Sequence, residues 1–139
     1  FADRYERPEY LARYRVADLF LDTHPYNAGT TASDALKMGL PMLTMIGQSY
    51  QSRMGASILT SINLPELITN TPKEYEALAI ELATHPEKLK VIKDKLEDNL
   101  STAPLFDTKR FTKNIESAYT QMYERSQKGL EPEHIYVEE

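Results

Sequence analysis

Two short apolar runs, residues 16–21 (VADLFL) and 41–46 (PMLTMI), flank a single helical pattern through short polar links. That order leaves few folds open, because strand, helix and strand at this spacing form a right-handed crossover between parallel neighbours in a sheet. The first run is mostly apolar, carries β-formers and stops at Asp22, which predicts a strand buried on both faces. From Thr31 onward, Ala32, Ala35, Leu36 and Met38 recur at helical spacing, and Gly39 with Pro41 ends the pattern.

The junction between strand and helix, DTHPYNAGTTASD at 22–34, is a small polar turn opening a helix. Helix N-termini present free backbone N–H groups and about half a positive charge from the macrodipole. Gly29 lets a backbone approach an anion closely, and the Thr30 and Thr31 hydroxyls add donors for phosphate oxygens. A second reading of the same residues is purely structural. Thr31 and Asp34 have the spacing of a capping-box variant, worth about 1 kcal/mol of helix stability. Because Asp34 is anionic, a phosphate at this turn requires it to point aside, toward sugar hydroxyls.

Further along, GQSYQSR at 47–53 follows the second strand and places Ser49, Tyr50 and Arg53 on the same sheet edge, where ligands of open α/β sheets gather. Arg53 suits an anion or a helix-end partner, and the structural role is the more common one for such a residue. Met54, Ile58 and Ile62 predict an apolar helix face, and residues 67–68 a short third strand. Thr71, Pro72 and Glu74 spell a capping box ahead of Tyr75, Leu78, Ala79 and Leu82, and Thr84 to Glu87 spell another. Leu89, Ile92, Leu96 and Leu100 then form a core-facing stripe. Leu105 and Phe106 pack the entry to a last helix that begins near Asp107 and carries Phe111, Ile115, Ala118, Tyr119 and Met122 on one face. Residues 131–139 read as a polar, poorly ordered tail, giving a main domain of 1–130 and a tail of 131–139.

Composition excludes several function classes. A formal net charge of −5 speaks against nonspecific nucleic-acid binding, and zero cysteines rules out disulfides and thiolate metal sites. His24, His85 and His134 lack metal-like spacing; His24 reads as loop packing and none suits a general base. No apolar run has the length of a membrane span.

The wording of residues 17–36, with GLPMLTM at 39–45, GQSYQSRMGAS at 47–57, LPELI at 64–68 and PLFDTK at 104–109, closely resembles the C-terminal catalytic lobe of the O-GlcNAc transferase and SPINDLY-like family. The resemblance covers nearly the whole chain. It implies an α/β fold, the Rossmann-like C-terminal half of a GT-B glycosyltransferase, with a parallel sheet, flanking helices and a helical C-terminus. It further implies that Gly29, Thr30 and Thr31 bind the diphosphate of a nucleotide sugar, with UDP-GlcNAc the expected donor, and that Asp34 lies near the ribose. Arg7, Tyr10 and Arg13 fall where animal members surround the uridine, Arg7 replacing a lysine and Tyr10 a histidine. Gly29 stands where those members carry histidine, and Lys37 where a tryptophan is common.

The implied activity is metal-independent transfer of a sugar to Ser or Thr of protein acceptors by a cytoplasmic enzyme. In relatives the catalytic histidine lies in a preceding lobe, itself often linked to tetratricopeptide repeats. The opening residues 1–4 look like the tail of a strand, so the chain reads as a fragment that needs that lobe and is inactive alone. The alternative is a noncatalytic interaction or regulatory module that keeps the scaffold, a reading favoured by Gly29 and Tyr10.

Overall fold

The computed structural model describes residues 3–137. Asp3 and Arg4 are irregular, and the other two residues of the expected strand tail, Phe1 and Ala2, lie outside the described residues. The chain divides into two compact units, one running to Ala103 and one from Pro104.

The first unit holds a parallel sheet of three strands in the order β1 (Phe20–Leu21), β2 (Met42–Met45), β3 (Ile68–Thr69). Phe20 aligns with Met42 and Leu21 with Leu43, while Thr44 and Met45 align with Ile68 and Thr69. Between β1 and β2 lies α2 (Thr30–Lys37), and between β2 and β3 lies α3 (Tyr50–Ser61). Both helices and α4 (Pro72–Thr84) pack against the central strand. The predicted strand–helix–strand order therefore holds, and its parallel pairing with it.

The core gathers where those layers meet. Leu36, Met42, Leu43, Leu59, Ile62, Leu64, Leu67 and Leu96 are fully buried. Leu96 and Leu89 come from α5 (Pro86–Asn99), so the predicted α5 stripe does face inward, with Ile92 and Leu100 half-buried beside them. Asn63, at φ 58, and Gly39, at φ 80, adopt the left-handed conformation that terminates α3 and α2.

Three local expectations are corrected. The run 16–21 is not a strand buried on both faces: Val16 is 89% and Leu21 55% exposed. Residues Arg13–Val16 form a 3-10 turn after α1 (Arg7–Ala12), and among the described residues β1 pairs with β2 alone, through Phe20 and Leu21. Thr84 is no N-cap; it is the last residue of α4, its hydroxyl donates back to the Ile80 carbonyl at 2.8 Å, and His85 serves both as the end of α4 and the cap of α5. The capping-box reading of Thr31 and Asp34 fails as well. The helix begins one residue earlier, with Gly29 as N-cap and no side-chain cap bond. By contrast, Thr71 accepts the Glu74 N–H at 3.1 Å as its box predicts.

The second unit is built on α6 (Thr108–Gln127), which follows a 3-10 turn at Pro104–Phe106 and is capped by Asp107 accepting the Arg110 N–H. Phe111, Tyr119 and Tyr123 on this helix are exposed. Residues 131–137 have no regular structure, and within this unit Arg125 holds the Glu131 carbonyl and the Glu133 carboxylate.

Candidate functional site

The site is assembled at the carboxyl end of β1, where the chain must leave a parallel sheet and enter α2. Asp22 is buried there, and its two carboxylate oxygens are fully used. Oδ1 accepts the backbone N–H of Thr23 at 2.9 Å and of Ala28 at 2.8 Å, while Oδ2 accepts the Thr44 hydroxyl at 2.6 Å. Its carbonyl accepts the Tyr75 hydroxyl from α4 at 2.9 Å. Burial, followed by the nearby Asp22 charge, pushes the Tyr75 hydroxyl above the usual tyrosine range.

Asn27, also buried, closes the loop by donating to the Thr23 carbonyl at 2.8 Å and accepting the Gly55 N–H. Its own N–H donates to the Gln51 carbonyl, which sets the turn against α3. The His24–Pro25 peptide is cis, and His24 is exposed, with its ring edge near Gly47.

Past this anchored loop comes the N-terminus of α2. Among the described residues, the N–H groups of Gly29, Thr30, Thr31 and Ala32 have no acceptor, and neither threonine hydroxyl makes a hydrogen bond. Thr30 and Thr31 are exposed. A Cβ added at Gly29 would meet only Met54 Cγ, at 3.9 Å, so the approach to this backbone is open. The unpaired donors of Gly29, Thr30 and Thr31 at the positive end of a helix suit an anion with several oxygens, such as a diphosphate, while Ala32 is buried behind them.

Asp34 sits one turn further along, buried, and its carboxylate turns to Arg7 of α1 at 3.2 Å. Three residues past Arg7, Tyr10 packs edge-to-face on Tyr14 with ring centroids 5.4 Å apart, and their hydroxyls are hydrogen-bonded. Burial, then that hydrogen bond, pushes the Tyr14 hydroxyl far above the usual tyrosine range, with smaller contributions from the charges of Tyr10 and Asp34. Arg13 stacks over the Tyr5 ring at 4.7 Å and donates to the Asp3 carbonyl at 3.0 Å. Tyr10, Arg13, Tyr14, Phe20 and Leu21 line an open, mostly apolar cleft of about 460 Å³.

Of the seven residues singled out by sequence, the structure joins Arg7 directly to Asp34, places Gly29, Thr30 and Thr31 at one helix end, and puts Tyr10 and Arg13 on one cleft. Arg53 is exposed with no partner among the described residues, so its expected structural role is not seen, and Ser49 caps α3 by accepting the Ser52 N–H. Missed by sequence reading was the buried framework of Asp22, Asn27, Thr44, Gly55 and Tyr75. An aspartate ending an apolar run and a glycine within an apolar helix face were the signals available. The described residues hold no group of His, Cys, Asp and Glu suited to a metal ion, and no helix long and apolar enough to cross a membrane.

Fold and site together define an α/β lobe with an open helix N-terminus at the carboxyl end of its sheet, and comparison with known proteins gives its family. Residues 1–115 match the profile of glycosyl transferase family 41, and the chain belongs to that family. It is 35% identical over 124 residues to the barley protein named probable UDP-N-acetylglucosamine–peptide N-acetylglucosaminyltransferase SPINDLY, an alignment covering 89% of this chain and 13% of that one. It is likewise 35% identical over 138 residues to the Arabidopsis thaliana protein of that enzyme name designated SEC, covering 99% of this chain and 14% of the relative. Among solved structures it superposes on a lysine-to-methionine mutant of the Thermobaculum terrenum O-GlcNAc transferase with TM-score 0.81 and 34% identity, covering 86% of this chain and 23% of that one. The fold is thus the Rossmann-like lobe of a GT-B transferase. The chain spans about one seventh of the length of these curated relatives.

Proposed function

We propose that this chain is the donor-binding lobe of a protein O-glycosyltransferase that takes a UDP-sugar, UDP-GlcNAc by analogy with the names of its relatives, for transfer to Ser or Thr of protein acceptors. The observation that carries this reading is the α2 N-terminus, where the unengaged N–H groups of Gly29, Thr30 and Thr31 and two free threonine hydroxyls lie on exposed or half-exposed residues. Gly29, Thr30 and Thr31 take the diphosphate, Asp34 the ribose, and Arg7, Tyr10 and Arg13 the base side. Helix N–H groups, the helix dipole and the threonine hydroxyls meet the phosphate oxygens, and on this reading binding needs no divalent metal. On this reading the acid–base chemistry comes from a second lobe, the chain alone does not catalyse transfer, and the working enzyme is cytoplasmic.

The test is titration of UDP into the ¹⁵N-labelled chain, with and without EDTA. Shift changes confined to residues 7–13 and 29–34, unaltered by EDTA and weaker with UMP than with UDP, are expected. Silence at those amides at millimolar UDP would remove the donor role and leave a noncatalytic scaffold.

A further inference from the structure

Beneath the helix end lies a buried carboxylate that touches no donor atom of the proposed site yet is bonded to the residue just before it. Asp22 is 6% exposed. One of its oxygens takes the Ala28 N–H at 2.8 Å, and Ala28 immediately precedes the Gly29 cap. That bond crosses six positions and spans the whole turn, so the place where the chain enters α2 is referred to the end of β1.

The other oxygen is held from the sheet. Thr44, in the central strand, donates its hydroxyl to Oδ2 at 2.6 Å, and Thr44 in turn is fully buried. Helix α3 is pressed onto this pair: a Cβ at Gly55 would lie 2.4 Å from Thr44 Oγ1 and 2.6 Å from Asp22 Oδ2. The carboxylate is therefore fixed from three directions, and it passes that fixity to the turn. A carboxylate near an anion site opposes the anion by Coulomb repulsion, so its value here is geometric.

We propose that Asp22 is the positioning residue of the phosphate turn: by holding the Ala28 N–H it aims the N–H groups of Gly29 to Thr31 at the diphosphate. This rests on the donor-binding reading given above. Without the Ala28 bond, Asn27 still holds the turn to α3, but the start of α2 loses its direct tie to the end of β1, and the donors meet an anion only part of the time. Preorganised donors lose much of their effect when misplaced by about 1 Å.

The test compares Asp22→Ser, Asp22→Asn and Thr44→Val in the full 139-residue chain, reading UDP affinity by titration and Ala28 protection by amide hydrogen exchange. Serine is too short to reach Ala28 and Thr44 together. It should expose the Ala28 amide and weaken UDP binding by about tenfold or more. Asparagine keeps an acceptor for Ala28 and removes the charge, and should bind UDP within about threefold of wild type. Valine at 44 disturbs the core but leaves the Ala28 bond, and should also stay within about threefold while lowering thermal stability.

Wild-type affinity in Asp22→Ser would overturn the positioning role and leave the donor reading intact. Equal loss in Asn and Ser, or equal loss in Thr44→Val, would overturn it too, showing a charge or a general core effect. No UDP binding by the wild-type chain removes the donor reading and this inference together. If Asp22→Ser does not fold, Asp22→Glu, which shifts the oxygens by one methylene, replaces it with the same expectation.

Discussion

The Arg7 guanidinium and the Asp34 carboxylate, 27 positions apart, meet at 3.2 Å and tie α1 to α2. The two ends differ in setting: the Arg7 side chain is 71% exposed and that of Asp34 11%. One charge pair thus joins the first turns of α2 to the patch carrying Tyr10 and Arg13. In the donor reading, a ribose hydroxyl and Arg7 share a single carboxylate.

Replacing Arg7 by alanine should therefore separate binding from stability. The pair is exposed at Arg7 and largely buried at Asp34, so its loss should cost about 1 kcal/mol and move the melting temperature by a few degrees. UDP affinity should fall about tenfold, because a cation and the orientation of Asp34 are lost together. A large drop in melting temperature with affinity unchanged would reverse that assignment.

Thr31→Ala distinguishes the two readings of the turn. A capping threonine would cost about 1 kcal/mol on removal, but Gly29 is the cap and no side-chain cap bond exists. Denaturant unfolding should accordingly change by less than about 0.5 kcal/mol. In a transferase containing this lobe the apparent KM for the donor should rise severalfold. A stability loss of the capping size, with normal KM, would restore the structural reading.

Gly55→Ala tests the packing over Asp22. The added methyl would lie 2.4 Å from Thr44 Oγ1 and 2.6 Å from Asp22 Oδ2, closer than real contacts allow. Overpacking of this kind costs about 1–3 kcal/mol, and displacement of a fully bonded carboxylate adds to it. Gly29→Ala, with only Met54 Cγ at 3.9 Å, is the contrasting case and should unfold at nearly the wild-type denaturant concentration. Equal effects at the two glycines would contradict the packing described.

Alkaline pH should weaken the fold through two tyrosines. Tyr14 and Tyr75 both titrate above the ordinary value of 10.0 when folded, chiefly through burial. The unfolded chain then releases these protons first, so their contribution is complete below pH 10 and declines as pH rises toward the folded values. Tyr14→Phe and Tyr75→Phe should each flatten the fall in unfolding free energy between about pH 9 and pH 11. Slopes identical to wild type in both variants would show that neither hydroxyl is shielded.

How much of this was readable beforehand differs by kind of signal. The order of elements followed from apolar spacing and from stop residues such as Gly39, whose left-handed backbone appears as turn chemistry requires. Thr71 was read correctly as a cap and Thr84 wrongly, though both have a proline within two residues and a glutamate three residues on. What separated them was whether the preceding helix had already ended, which lies outside the local pattern. Similarly, 16–21 has the composition of a buried strand, but burial of a strand depends on neighbours, and β1 has one.

The sequence by itself determined the α/β class, the strand–turn–helix junction and the residues from Gly29 to Asp34, because these are encoded over a few adjacent positions by periodicity, turn residues and a family-specific wording. Only the tertiary structure decided that Arg7 meets Asp34, that Asp22 reaches both Ala28 and Thr44, and that Gly55 must lack a side chain. Those pairings join groups up to 33 positions apart, Asp22 to Gly55, and depend on how helices settle on a sheet. No local pattern carries that information, since the distance between two side chains is set by every layer packed between and around them.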